Sequence, residues 1–97
     1  MDSPGQVAVE HDTVAEQFRV GSGDDTAVLQ YRRDPHAITF LHTEVPEAFR
    51  GQGIAQKLAH AGLEYARQQG VNVIPLCPFV NAYIRKHPEY QSMVKPW

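Results

Sequence analysis

The sequence predicts a single domain of mixed α/β (α+β) class, in which an antiparallel meander leads through a helical crossover into a parallel strand. Three observations lead there. Apolar residues alternate with a period of two as far as Val45 and recur at helical spacing from Ile54 to Tyr65. A β-branched run over 71–76 then precedes a second helical stretch. A chain of 97 residues has room for one modest core and no separate substrate domain.

Residues 1–12 carry Pro4, Gly5 and little periodicity and read as a disordered tail, with 13–97 as the domain. From Thr13 onward, Val14, Glu16, Phe18 and Val20 fall on one face of a first strand, with Gln17 and Arg19 on the other. Gly21-Ser22-Gly23-Asp24-Asp25 reads as a turn, after which Ala27, Leu29 and Tyr31 alternate with Val28, Gln30 and Arg32 in a second strand. Asp34-Pro35-His36 turns the chain again, and 37–45 make a third. Ile54, Leu58, Ala61, Gly62 and Tyr65 then share one helix face, and Gly70 stops the helix. The run 71–76 is expected as a strand in the interior of the sheet. Pairing should fail on one side near Pro75, which has no N–H to donate. A second helix runs from Pro78 to about Lys86, ended by His87-Pro88-Glu89. The fourth strand returns through a helix and so should lie parallel to its neighbour.

A net charge of -2 with scattered basic residues offers no stripe for a phosphate backbone, so no nucleic-acid partner is expected. No apolar stretch is long enough to cross a bilayer, which argues against a membrane partner. Cys77 is the single cysteine and cannot form an internal disulfide. The start of the chain also lacks the basic and apolar regions of a signal peptide. These features predict a reducing, cytoplasmic setting. The five histidines and Cys77 show no metal-ligand spacing, so no metal site is expected.

The chemistry concentrates between Val45 and Leu58. Pro46 ends a strand, and the chain enters a helix through Gly51 and Gly53. Glycines allow close approach of backbone to a ligand. The first helical turn leaves N–H groups unpaired at the positive end of the helix dipole, an arrangement suited to a pyrophosphate. Arg50 adds a charge beside it. A dinucleotide fold would need a third glycine and a parallel βαβ unit, and a P-loop would need its lysine. Neither is present.

Arg50-Gly51-Gln52-Gly53-Ile54-Ala55 matches the pattern R/Q-x-x-G-x-G/A, and with its setting of meander, turn, helix, strand and helix the chain resembles the GNAT superfamily of N-acetyltransferases. Leu41-His42-Thr43-Glu44-Val45-Pro46, Cys77-Pro78-Phe79-Val80 and His87-Pro88-Glu89-Tyr90 narrow the resemblance to small stand-alone members. It covers 13–94 in outline and is specific over 41–90. It implies a truncated GNAT-like fold with a splayed parallel strand pair, 38–45 against 71–76, and two main helices. It also implies acetyl-CoA or coenzyme A as cofactor. The pyrophosphate would be held at Arg50, Gly51, Gln52, Gly53, Ile54 and Ala55, and the pantetheine arm by backbone groups around Thr43 and Val45.

Acetyl transfer to an amine needs a base, donors for the oxyanion and an acid for the leaving thiolate. His42 and Glu44 alternate along one strand and share a face. His42 is a candidate base because its unperturbed pKa lies near neutrality, Glu44 if burial raises its pKa. They are equally readable as a hydrogen-bonded structural pair. Cys77, at a helix start, is a candidate nucleophile or a buried core thiol. The resemblance implies that His42, Glu44 and Cys77 lie together near the thioester. The family's tyrosine acid has no residue in register here. Lys86 takes its place, and Tyr83 is the nearest substitute. The helices that usually wall the substrate site are replaced by five turn residues, so the acceptor site is open or completed by another chain, and a protein or peptide amine is as good a candidate as a metabolite. The alternative is a coenzyme-A-binding module or sensor without catalysis.

Overall fold

Phe18, Val20, Ala27, Leu29, Tyr31, Ile38 and Phe40 are all buried, so the period-two alternation builds one apolar sheet face. The computed structural model describes residues 8–95. Its strands are β1 (Glu10–Asp12), β2 (Gln17–Ser22), β3 (Asp25–Arg33), β4 (Ala37–Glu44) and β5 (Asn72–Pro75). A 3₁₀ turn (Glu47–Phe49) and helix α1 (Ile54–Gln69) connect β4 to β5. Helix α2 (Pro78–Lys86) and a 3₁₀ segment (Pro88–Met93) follow. The strands form one sheet in sequence order. All pairs are antiparallel except β4 with β5. This is the mixed α+β fold the sequence predicts.

The N-terminal expectations need correction. The first predicted strand begins at Gln17, because 13–16 form a turn in which Val14 is 95% exposed. Asp12 sets that turn, its carboxylate accepting the N–H groups of Val14 and Ala15 at 3.1 and 2.9 Å. Glu10–Asp12, expected in the tail, instead forms the outer strand of the sheet. His11 stacks on Phe18 with ring centroids 4.1 Å apart and hydrogen-bonds the Tyr31 hydroxyl at 2.6 Å. Glu10 and Asp12 both bind Arg19. A three-residue strand is too short to register as periodicity; cross-strand contacts hold it. The tail over 1–7 lies outside the described residues. β2 and β3 also run into the predicted 21–25 turn, pairing Ser22 with Asp25 and leaving Gly23 and Asp24 as the loop.

β5 is corrected from the sheet's interior to its end. Beyond it stand a single bridge between Val73 and Val94 and a bond from the Lys95 N–H to the Val73 carbonyl at 3.1 Å. The residues after β5 form α2 and the 3₁₀ segment, and no full strand returns among the described residues.

Helices α1 and α2 share one core with the sheet, through Ile54, Leu58, Leu63, Val80 and Ile84. Gly70 stops α1 in the left-handed conformation at φ 67°, as predicted. The predicted face of α1 is partly rotated: Ala61 and Tyr65 are half-buried, while Ala59, Leu63 and Ala66 are buried. The helix touches both the sheet and α2, which widens its apolar stripe. Gly62 permits the closest approach, since a Cβ there would lie 2.7 Å from Phe40 Cε1 and 3.2 Å from Leu29 Cδ2. Alanine would gain about 1 kcal/mol of helix propensity, but overpacking costs roughly 1–3 kcal/mol. Gly62→Ala is therefore expected to lower stability by up to about 2 kcal/mol in urea denaturation. A gain would show that Phe40 yields freely.

Candidate functional site

β4 and β5 pair from Ala37 with Asn72 to Phe40 with Pro75, and there the ladder ends. Two sequence features end it. Pro75 has no N–H to offer. β4 also carries one extra residue relative to β3: Tyr31 opposes Phe40 and Gln30 opposes His42, leaving Leu41 as a bulge that bends the strand. The Cys77 N–H still reaches the Phe40 carbonyl at 2.9 Å as the chain turns into α2. Residues 42–44 stay paired with β3 but have no β5 partner among the described residues.

The turn after β4 is wound by three successive bonds, from the N–H groups of Phe49, Arg50 and Gln52 to the carbonyls of Pro46, Glu47 and Phe49. The Phe49 ring pins it, packed so closely over Gly21 that a Cβ there would lie 2.9 Å from Phe49 Cζ. Gly53 is the N-cap of α1 in the left-handed conformation, φ 69°, which costs other L-residues roughly 1–2 kcal/mol. The first bond within α1 runs from the Lys57 N–H to the Gly53 carbonyl. The N–H groups of Gly51, Gly53, Ile54, Ala55 and Gln56 have no acceptor among the described residues, whereas that of Gln52 is committed to Phe49. A cavity of about 310 Å³ lies here, bordered by Val45, Pro46, Arg50, Gly53 and Gln56. The Arg50 side chain is exposed and bound to Glu47 at 2.9 Å, so its charge is shared.

The expected cluster of catalytic candidates is divided by the sheet. His42 opposes Gln30 and Glu44 opposes Val28, whereas Thr43 opposes the buried Leu29. Directly opposed residues point to the same face. His42 and Glu44 therefore share a face, as predicted, with Nε2 and Oε2 3.7 Å apart. That face is turned away from the core. Thr43 points the other way, and its Oγ1 lies 3.3 Å from Cys77 Sγ. Strand alternation separates what the family resemblance had grouped near the thioester. The Glu44 side chain is 72% exposed, so the burial on which its role as base depended is absent. Cys77 is 1% exposed, at the N-cap of α2.

Tyr83 lies six residues into α2 from Cys77, about 9 Å along the axis. Its ring stacks on His87 with centroids 4.0 Å apart. Burial, and then the charges of Glu89 and Glu64, push its phenol pKa up, so it stays protonated. The structure does not bring it to the Thr43–Cys77 contact.

Sequence reading missed a network between α1 and the C-terminal 3₁₀ segment. The buried Tyr90 hydroxyl donates to Glu64 Oε2 at 2.7 Å and lies 3.2 Å from His60 Nδ1. Arg67 also binds Glu64. Glu64, His60 and Arg67 follow the 3–4 residue spacing of one helix face, but only the tertiary return of Tyr90 reveals their role. Among the described residues no group of His, Cys, Asp and Glu is placed to hold a metal, and no helix is long and apolar enough to cross a membrane.

A mixed sheet whose one parallel pair parts at mid-strand, beside a glycine-capped helix rich in free N–H groups, defines an N-acetyltransferase-type fold. Comparisons with known proteins agree. The sequence pattern of the GCN5-related N-acetyl-transferase family matches residues 16–93. Protein NATD1 of Xenopus tropicalis is 34% identical over 101 residues, covering 99% of this chain and 93% of its own length. Protein NATD1 of Homo sapiens is 36% identical over 95 residues, covering 93% and 84%. The solution structure of a GCN5-like protein from Staphylococcus aureus superposes with a TM-score of 0.72 at 27% identity, covering 93% of this chain and 89% of that one. The chain belongs to the GCN5-related N-acetyltransferase family.

Arg67, followed by the Tyr90 hydroxyl, holds the Glu64 carboxyl at about 2, below its ordinary 4.5. A carboxylate with a depressed folded-state pKa stabilises the fold above its unfolded pKa, and loses that contribution as pH falls through the folded value. Glu64→Gln should therefore flatten the loss of thermal stability between pH 4.5 and about 2. An acid limb as steep as wild type would show that the network does not couple to folding.

Proposed function

We propose that the protein binds acetyl-CoA and transfers its acetyl group to an amine. The observation that carries this reading is the adjacency of the parted strands and the donor-rich turn at Gly51–Gln56. A pyrophosphate on the free N–H groups would direct the pantetheine arm along 42–45, whose backbone lacks a strand partner on the β5 side. The amine nitrogen attacks the thioester carbonyl carbon, the carbon–sulfur bond breaks, and its electron pair leaves on sulfur. His42 takes the amine proton on the outward face. The Thr43–Cys77 pair lies on the other side of β4, where the leaving sulfur can be protonated; a thiol is chemically matched to a departing thiolate.

The outward face also bears on the acceptor. Both helices belong to the core on the opposite face, and β1, β2 and β3 are joined only by the turn over 13–16 and the two-residue loop at Gly23–Asp24, with no substrate-walling helix between them. An open face suits an amine presented by a protein or peptide. The position of Tyr83, two helical turns from Cys77, favours the second reading, a coenzyme-binding module without useful turnover.

Calorimetric titration with acetyl-CoA tests the cofactor. Saturable binding is expected, abolished by Gly53→Glu, which places bulk and negative charge at the phosphate position and strains the left-handed cap. Unchanged affinity in that variant would remove the turn from the site. With an amine acceptor, Cys77→Ala is expected to lower kcat by about 10²-fold with KM for acetyl-CoA unchanged. An unaltered kcat would make Cys77 a packing residue only. An acyl adduct on Cys77 in intact-mass spectra would replace direct transfer by a covalent route.

A further inference from the structure

Cys77 is sealed inside the core, 1% exposed, and among the described residues its thiol has one side-chain hydrogen-bond partner, Thr43. Its backbone is fixed on both sides. The Cys77 N–H donates to the Phe40 carbonyl at 2.9 Å, and its carbonyl accepts the Asn81 N–H at 3.0 Å. The residue therefore does not slide forward into the gap between the strands. Thr43 differs. It stands on the stretch 42–44, which has no β5 partner among the described residues, and it is only half-buried. Its β-branched side chain is stiff at χ1, with Oγ1 3.3 Å from Cys77 Sγ. Of the two residues, Thr43 is the one that reaches solvent.

From this we infer that the Thr43 hydroxyl carries a proton from the Cys77 thiol to the leaving sulfur of the coenzyme. The inference rests on the acetyl-transfer reading of the parted strands. A hydroxyl can accept one hydrogen bond and donate another at the same time. As the thioester carbon–sulfur bond breaks, the Thr43 O–H proton passes to the departing sulfur, and the Cys77 S–H proton passes to Thr43 Oγ1. Threonine ends as it began, and coenzyme A leaves as its thiol. Cys77 is left as a thiolate at the N-terminal end of α2, the positive end of its dipole. Solvent returns a proton to it through the same hydroxyl, while His42 releases the one taken from the amine. No bond to carbon forms at Cys77. A hydroxyl relays a proton in this step but not an acyl group, so a thiol reached only through Thr43 serves as an acid and not as a nucleophile.

The test follows coenzyme A release from acetyl-CoA, with poly-L-lysine and short peptides bearing free α-amino groups as acceptors. Calorimetry gives acetyl-CoA affinity in parallel. Thr43→Val keeps the branched shape and removes the hydroxyl; it is expected to lower kcat by about 10²-fold at unchanged affinity. Thr43→Ser should restore most of the rate. The double variant Thr43→Val/Cys77→Ala should be no slower than the slower single variant, because both changes break one route. Independent contributions would instead multiply to about 10⁴-fold. Multiplied losses, a Thr43→Val rate within about twofold of wild type, an equal loss in Thr43→Ser, or an acetyl adduct on Cys77 would each overturn the relay while acetyl transfer stands. If wild type binds acetyl-CoA but acetylates none of these acceptors, the transfer reading fails and the relay with it.

Discussion

The site depends on the place where β4 stops pairing with β5. Up to Phe40 the two strands form an ordinary parallel ladder. Beyond it, the bulge at Leu41 bends β4 while Pro75 and the turn into α2 carry the other strand away. Because β3 continues to hold 42–44 from the opposite edge, β4 does not fray. The result is a strand edge inside the fold that is fixed in position yet unpaired among the described residues. Backbone groups left so are costly unless satisfied, which makes this gap a natural place for an extended, amide-bearing ligand.

The same strand sorts the polar side chains. His42 and Glu44 go to the outward face, and Thr43 goes inward to Cys77. A reacting carbon held in the gap would thus meet a proton acceptor on one side and a thiol on the other. The glycine turn, pinned by Phe49 over Gly21, sets the entry to this gap and its positive electrostatics. Two further contacts close the fold around it: β1 is stapled through His11, and the C-terminal segment through Tyr90.

Much of this was legible in the sequence. The period change near Ile54, Gly70 as a stop, and Pro78 as a helix start each act locally, and each appears where expected. The glycine pair was readable because left-handed caps demand glycine. What was not legible depends on partners distant along the chain. β1 is ordered by His11 meeting Phe18 and Tyr31, and nothing in Glu10–Asp12 alone announces that. The edge position of β5 depends on the described residues after α2 meeting it only through Val94 and Lys95 at Val73. Sequence alternation did place His42 and Glu44 on one face, but their separation from Cys77 required knowing that Cys77 contacts Thr43 rather than either of them.

The most direct measurement is amide NMR of the isotopically labelled protein titrated with coenzyme A. A ligand lying along the parted strands and across the glycine turn should perturb the amides of 42–45 and of Gly51, Gly53, Ile54, Ala55 and Gln56 together, at a single affinity. The outer strands β1 and β2 should stay silent. Perturbations absent from both segments, or gathered on β1 and β2 instead, would contradict the assignment of this gap as the coenzyme site.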